Sequence, residues 1–178
     1  MTMPLNAFGE INYGSRLSSM TPEELTGIYR AYLPQVSGYL VRRCDRSEVE
    51  ELASRVFEIA WRKKDQAPEG FEVPWLFRIA GFVVSNHRRA IRSEQNFLQR
   101  FRPSDFAPSP EDIAIADAGL AQAWKKLSSF EREAISLTAF DGLSNQEAAK
   151  ALEISPNAFT QRLAKARKTL KEHLSLNS

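Results

Sequence analysis

The order of apolar and polar positions along the chain predicts helices almost throughout and shows scarcely any strand-like alternation. Helices are expected near 22–43, 48–64, 74–92, 110–127, 129–140, 144–152 and 156–174. Toward the C-terminus, Phe159, Leu163, Ala166, Leu170 and Leu174 are spaced by 4, 3, 4 and 4, which puts them on one continuous helix face. In EVEELASRVFEIAWR (48–62), Leu52, Val56, Ile59 and Ala60 make one stripe, widened by Val49, Phe57 and Trp61. In WLFRIAGFVVSNHRRAIR (75–92), Leu76, Ile79, Ala80, Val83, His87 and Ile91 are expected to point inward. Arg78, Phe82, Ser85, Asn86 and Arg89 are expected to point largely outward.

The helix starts carry their own signals. In a capping box, a hydroxyl side chain accepts from a backbone N–H and an acid three residues on reaches back. Thr21-Pro22-Glu23-Glu24, Ser47-Glu48-Val49-Glu50, Ser128-Ser129-Phe130-Glu131 and Ser144-Asn145-Gln146-Glu147 fit it, and Ser109-Pro110-Glu111-Asp112 is a variant with aspartate. SEQNFLQRFRPSDFAPS (93–109) has three Phe, two Pro and no helical apolar period, so it is read as linker. The expectation is an all-α protein of two small helical domains, 21–92 and 113–178, joined by a flexible linker at 93–112 and preceded by a flexible arm at 1–20.

Composition narrows the chemistry. With 178 residues, 43% of them apolar, the chain can build a core, but 24 Lys+Arg against 22 Asp+Glu leave only +2. The placement of charge, not its sum, must therefore carry any nucleic-acid argument. Cys44 is the only cysteine, which excludes an intrachain disulfide and a paired-cysteine metal site and suits a reducing cytoplasm. His87 and His173 are the only histidines and have no acid–base or ligand constellation nearby. No nucleophile–base pair, phosphate loop or metal cluster appears, so no enzyme, cofactor or metal is expected. MTMPLNAFGEINYGSRLSSM is not a signal peptide, and no apolar stretch approaches membrane-spanning length.

GLSNQEAAKALEISPNAFTQRL (142–163) is the most informative stretch. Gly142 suits the left-handed position after a helix, Ser144 caps a short helix with Ala148, Ala149 and Leu152 on its buried side, and Ser155-Pro156 opens the last helix. The outer face of that helix presents Asn157, Thr160, Gln161, Ala164, Lys165 and Lys168, with Arg162, Arg167 and Lys171 on its flanks. A capped helix, a short turn and a capped basic helix favour a DNA-reading helix-turn-helix over a merely solvated face. The first half differs. The exposed side of 48–62 is acidic at Glu48, Glu50, Glu51 and Glu58, which repels phosphate and suits a basic protein partner or plain solvent. The arginine, amide and aromatic face at 78–89 suits unstacked nucleic acid, the plainer reading of Phe82 being burial against a neighbouring helix.

Taken together, these segments resemble the small, two-domain extracytoplasmic-function (ECF) group of bacterial RNA polymerase sigma factors, over roughly 24–92 and 114–174. EELASRVFEIAWR is similar to the group's polymerase-binding helix and WLFRIAGFVVSNHRR to its promoter-melting helix. The stretch from LSSFEREAISL through AKARKTL is similar to its DNA-binding C-terminal domain. The resemblance implies that Thr160, Gln161, Ala164 and Lys165 face bases of the upstream (minus-35) element, with Asn157 beside them and Arg162 and Lys168 nearer phosphates. It implies that Phe71 in loop 65–74, with Arg78, Phe82, Asn86 and Arg89, captures the melted minus-10 strand. Glu51, Leu52, Ser54, Arg55 and Phe57 would grip core polymerase, and family members are commonly held inactive by an anti-sigma protein. The chain departs from the family pattern at Glu51, Ser54, Phe82, Asn86, Asn157-Ala158 and Glu153, where Asp, Gln, Asn, Asp, Gly-Thr and Gly are usual. Two other readings remain: a free-standing helix-turn-helix regulator, and a sigma-like decoy or adaptor that binds polymerase or an anti-sigma protein but reads DNA poorly.

Overall fold

The computed structural model describes residues 22–93, 107–108 and 118–175. The arm at 1–20, the caps at Thr21 and Ser109 and most of the linker lie outside the described residues. Among those described there are seven α-helices and no strand. The first half holds α1 (Pro22–Val41), α2 (Val49–Arg62) and α3 (Glu72–Ser93). The second holds α4 (Ala118–Lys126), α5 (Ser129–Ile135), α6 (Asn145–Ala151) and α7 (Pro156–Ser175). Each half is organised around one long helix. α3 packs on α1 and α2, and α7 packs on α4, α5 and α6.

Two capping boxes form in full. The Ser128 and Ser144 hydroxyls accept from the N–H groups of Glu131 and Glu147, and both glutamates accept from the cap N–H in return. The Ser47 box does not form: Arg46–Glu48 is a short 3₁₀ turn and α2 starts on Val49 with no side-chain cap. α5 widens at its end into a π-helical turn, Ser136–Phe140, where Asp141 N–H bonds the Ser136 carbonyl five residues back. Gly142 follows with φ +73°.

The stripes bury as their spacing requires. Leu52, Val56, Ala60, Leu76, Ile79, Ala80, Val83, Phe159, Leu163 and Ala166 are all core residues. Two expectations on α3 are corrected. Ser85 is buried, so the covered side of α3, which packs on α1, α2 and α6, is broader than the apolar stripe alone implies. Ile91 is 57% exposed in the last turn, beyond His87, where the imidazole meets the Glu48 carboxylate at 2.8 Å. His87 is thus a half-buried histidine at the core edge.

The halves also pack against each other. α6 lies on α3, and a buried polar cluster joins α1 to α5. Arg43 is fully buried, bonds Glu133 at 2.9 and 3.0 Å and Asp141 at 3.2 Å, and lies 3.6 Å from the Tyr39 ring centroid. Arg42 reaches the other Asp141 oxygen. Residues 107–108 are buried in the same region. Arg88 donates to the Ala107 carbonyl from the first half, and Arg132 donates to the Pro108 carbonyl from the second.

Candidate nucleic-acid interface

The turn between α6 and α7 is built by backbone hydrogen bonds. Glu153 N–H bonds the Lys150 carbonyl and Ile154 N–H bonds the Ala149 carbonyl, the paired bonds of a Schellman ending. That geometry requires a left-handed residue, and Glu153 supplies it at φ 53°. A side chain there costs roughly 1–2 kcal/mol relative to glycine. Ser155 Oγ then accepts from Ala158 N–H, and Pro156 begins α7. Buried Ala148, Ala149 and Ala151 let α6 sit close under α7.

Burial of Phe159, Leu163 and Ala166 fixes the rotation of α7. Asn157, Thr160, Gln161, Ala164, Lys165 and Lys168 consequently lie together on its exposed side. Thr160 Oγ1 is anchored to the Pro156 carbonyl at 2.9 Å and accepts from Asn145 Nδ2 at 3.4 Å. Asn145, at the start of α6, is therefore a neighbour of the reading face that periodicity within α7 could not reveal. Lys165 lies 3.8 Å from Glu131 and Lys168 3.8 Å from Glu172, both with highly exposed amines. Arg162 sits apart from this face, half-buried, with its guanidinium 4.8 Å from the Phe130 ring centroid.

On the first half, Arg78, Phe82 and Arg89 are exposed along α3, and Asn86 and Phe71 are half-buried. Phe82 is 48% exposed, so it is not the core aromatic that the plainer reading expected. A groove of about 350 Å³ runs beside it, walled by Trp75, Arg78 and Ile79 of α3, Ile59 of α2 and Leu152 and Glu153 of the second half. The Glu153 carboxylate pairs with Arg78 at 2.9 Å, and the Lys150 ammonium lies 2.9 Å from the Phe71 ring centroid.

On α2, Glu51, Ser54 and Arg55 are exposed. Arg55 pairs with Glu51 one turn back, and Ser54 Oγ bonds the Glu50 carbonyl. Leu52 and Phe57 are core, with Phe57 packed 4.7 Å from the Tyr29 ring. Their side chains belong to the apolar stripe and support the exposed face from below. Among the described residues, no group of three or more His, Cys, Asp or Glu could hold a metal ion, and no helix is long and apolar enough to cross a membrane.

An all-helical chain whose C-terminal helix-turn-helix presents a polar and basic face defines a DNA-binding protein of two helical modules. Comparison with known proteins makes this specific. Residues 119–170 match the family described as Sigma-70, region 4. The chain is 34% identical over 134 residues to RNA polymerase sigma factor NccH of Alcaligenes xylosoxydans xylosoxydans, covering 70% of this chain and 72% of that protein. It is 26% identical over 152 residues to RNA polymerase sigma factor CarQ of Myxococcus xanthus, covering 83% and 87%. In fold it is similar to CnrH, solved in complex with the cytosolic domain of CnrY, with TM-score 0.59 and 23% identity over 93% of this chain and 96% of that one. It is also similar to the sigma factor RpoE of Bartonella quintana, solved with the anti-sigma factor NepR, with TM-score 0.55 and 22% identity over 88% and 97%. The chain belongs to the RNA polymerase sigma factors, in the ECF group of the sigma-70 family. It directs promoter-specific transcription, and its family initiates transcription without being an enzyme family.

Proposed function

We propose that the two modules, 21–92 and 113–178, divide promoter recognition between them across the linker at 93–112. The α7 face reads the upstream element as duplex, with Thr160, Gln161, Ala164 and Lys165 toward base edges and Asn157 and Lys168 beside them. Arg162, placed over Phe130, acts on phosphate only after swinging off that ring. The α3 face, with Phe71, Arg78, Phe82, Asn86 and Arg89, captures the melted downstream strand through stacking and backbone charge. Core polymerase docks on the exposed acidic side of α2 at Glu51, Ser54 and Arg55, with Leu52 and Phe57 holding that helix in place. An anti-sigma protein is a further partner, by analogy with the RpoE–NepR complex. The observation that carries this reading is the joint exposure of the six α7 residues on a helix-turn-helix whose opposite side is buried.

The test is transcription by core polymerase on a library of promoter fragments with this protein added, followed by mapping of transcript starts. Initiation at a shared pair of sequence elements is the expected result. Duplex binding by the protein alone without initiation would favour a free-standing regulator, and polymerase binding with neither would favour a decoy.

A further inference from the structure

Asn145 and Thr160 lie 15 residues apart, on opposite sides of the turn between α6 and α7, yet their side chains meet. Both are exposed, so a duplex seated on α7 encounters them together. Each is held in place by its own helix. The full capping box at Ser144 fixes the backbone from which Asn145 projects, and buried Ala148 and Ala149 keep α6 close under α7. Thr160 is tied to the first turn of α7 through the Pro156 carbonyl at 2.9 Å. We propose that Asn145, although it lies outside the reading helix, is a specificity-determining residue for the upstream element, and that it reads one base pair as adenine with Thr160 as its prop. The proposal rests on the assignment of upstream reading to the α7 face.

The inventory of donors and acceptors sets the preference. A threonine hydroxyl has one proton and two lone pairs. The Thr160 proton goes to the Pro156 carbonyl, so toward Asn145 the hydroxyl can only accept. The amide must therefore turn its Nδ2 to Thr160, where it donates at 3.4 Å. A long, exposed hydrogen bond adds little stability. Its effect is on which way the amide faces. With one N–H spent on Thr160, the amide has one N–H and the Oδ1 acceptor left for a base. One donor beside one acceptor complements the adenine edge in the major groove, where N7 accepts and the N6 amine donates. Guanine offers acceptors alone there, thymine an acceptor and a methyl group, and cytosine a donor. The fixed amide thus makes two bonds to adenine and at most one to any other base. Without the Thr160 hydroxyl the amide is free to flip, and it no longer distinguishes a donor from an acceptor.

The test uses the full-length chain bound to core polymerase and a pool of duplexes randomised in sequence, the bound fraction being sequenced for wild type and variants. Wild type is expected to enrich adenine at one upstream position. Asn145→Ala is expected to lower that enrichment about tenfold and to leave the other positions as they were. Asn145→Asp has acceptors only, and it is expected to move the preference at the same position from adenine to cytosine. Thr160→Val keeps the shape and removes the hydroxyl. It is expected to lose the same preference, and its combination with Asn145→Ala is expected to lose no more than Asn145→Ala alone. These positions are exposed, and a change of preferred base is a readout that general destabilisation does not produce. Adenine enrichment unchanged in Asn145→Ala, or weakened equally at every position, overturns the proposal. Losses at two different positions that add in the double variant overturn the pairing of the two residues. If Thr160→Val and Gln161→Ala leave every position unchanged, or wild type enriches nothing, the assignment of reading to α7 fails and the proposal with it.

Discussion

At the scale of single residues, the exposed α7 side chains make separable predictions. Gln161→Ala is expected to change preference at one upstream base pair by about 1–3 kcal/mol, measured by binding to a set of singly substituted duplexes. Lys168→Ala is expected to weaken all duplexes alike and to lower the salt slope of binding by about one. Glu153 lends itself to a stability test. Its positive φ is strained, and its ion pair with Arg78 is solvent-exposed. Glu153→Gly should therefore stabilise the protein by roughly 1 kcal/mol in urea unfolding, strain relief outweighing the weak pair. That Glu153 stands where the family usually has glycine was legible in the sequence, and its φ of 53° shows that the turn keeps the left-handed shape. Its partner was not, since nothing local places Arg78 opposite it.

At the scale of elements, the helix map and two of the capping boxes were readable because each depends only on neighbours within about one turn. Ser47 misled for the same reason. The pattern was present, but the chain makes a 3₁₀ turn at Arg46–Glu48 and starts α2 later. Ser85 and Ile91 were misassigned because periodicity within α3 does not say how far the packed neighbours extend: Ser85 is buried, and Ile91 lies in the last turn, beyond the covered part of the helix. Glu131 illustrates the energetics of a formed cap. Its burial pushes its pKa up, but the Ser128 N–H and hydroxyl, with Lys165 beyond, outweigh this and hold it below the ordinary value of 4.5. A depressed carboxylate stabilises the fold above its ordinary pKa, and that contribution is lost as pH falls through the depressed value. Thermal unfolding followed below about pH 5 should show this loss, and Glu131→Gln should remove that component of the pH dependence. On α2, Leu52→Ala should cost about 2–5 kcal/mol of stability because Leu52 is core. Glu51→Ala should leave stability nearly unchanged and weaken polymerase binding.

At the scale of the whole molecule, the all-helical plan with a C-terminal helix-turn-helix was legible and the packing of the two halves on each other was not. Periodicity predicts which face of a helix is apolar. It is silent on a fully buried arginine whose partners lie 90 and 98 residues away. Nothing local in the sequence singles out Arg43 or Glu133, and only the assembled fold places them in one cluster with Tyr39 and Asp141. Burial there pushes the Glu133 carboxyl up, and Arg43 opposes the shift without cancelling it. Joint recognition of two promoter elements by the two halves is the proposal that belongs to this scale.

The most direct test of that joint recognition is run-off transcription on a promoter found by the mapping experiment, with about five base pairs inserted between its two elements. The insertion turns one element by about half a helical turn relative to the other. Simultaneous reading by one polymerase-bound chain predicts that initiation falls at least about tenfold, and that it returns when the original spacing is restored. Initiation unchanged by the insertion would contradict joint reading of the two elements.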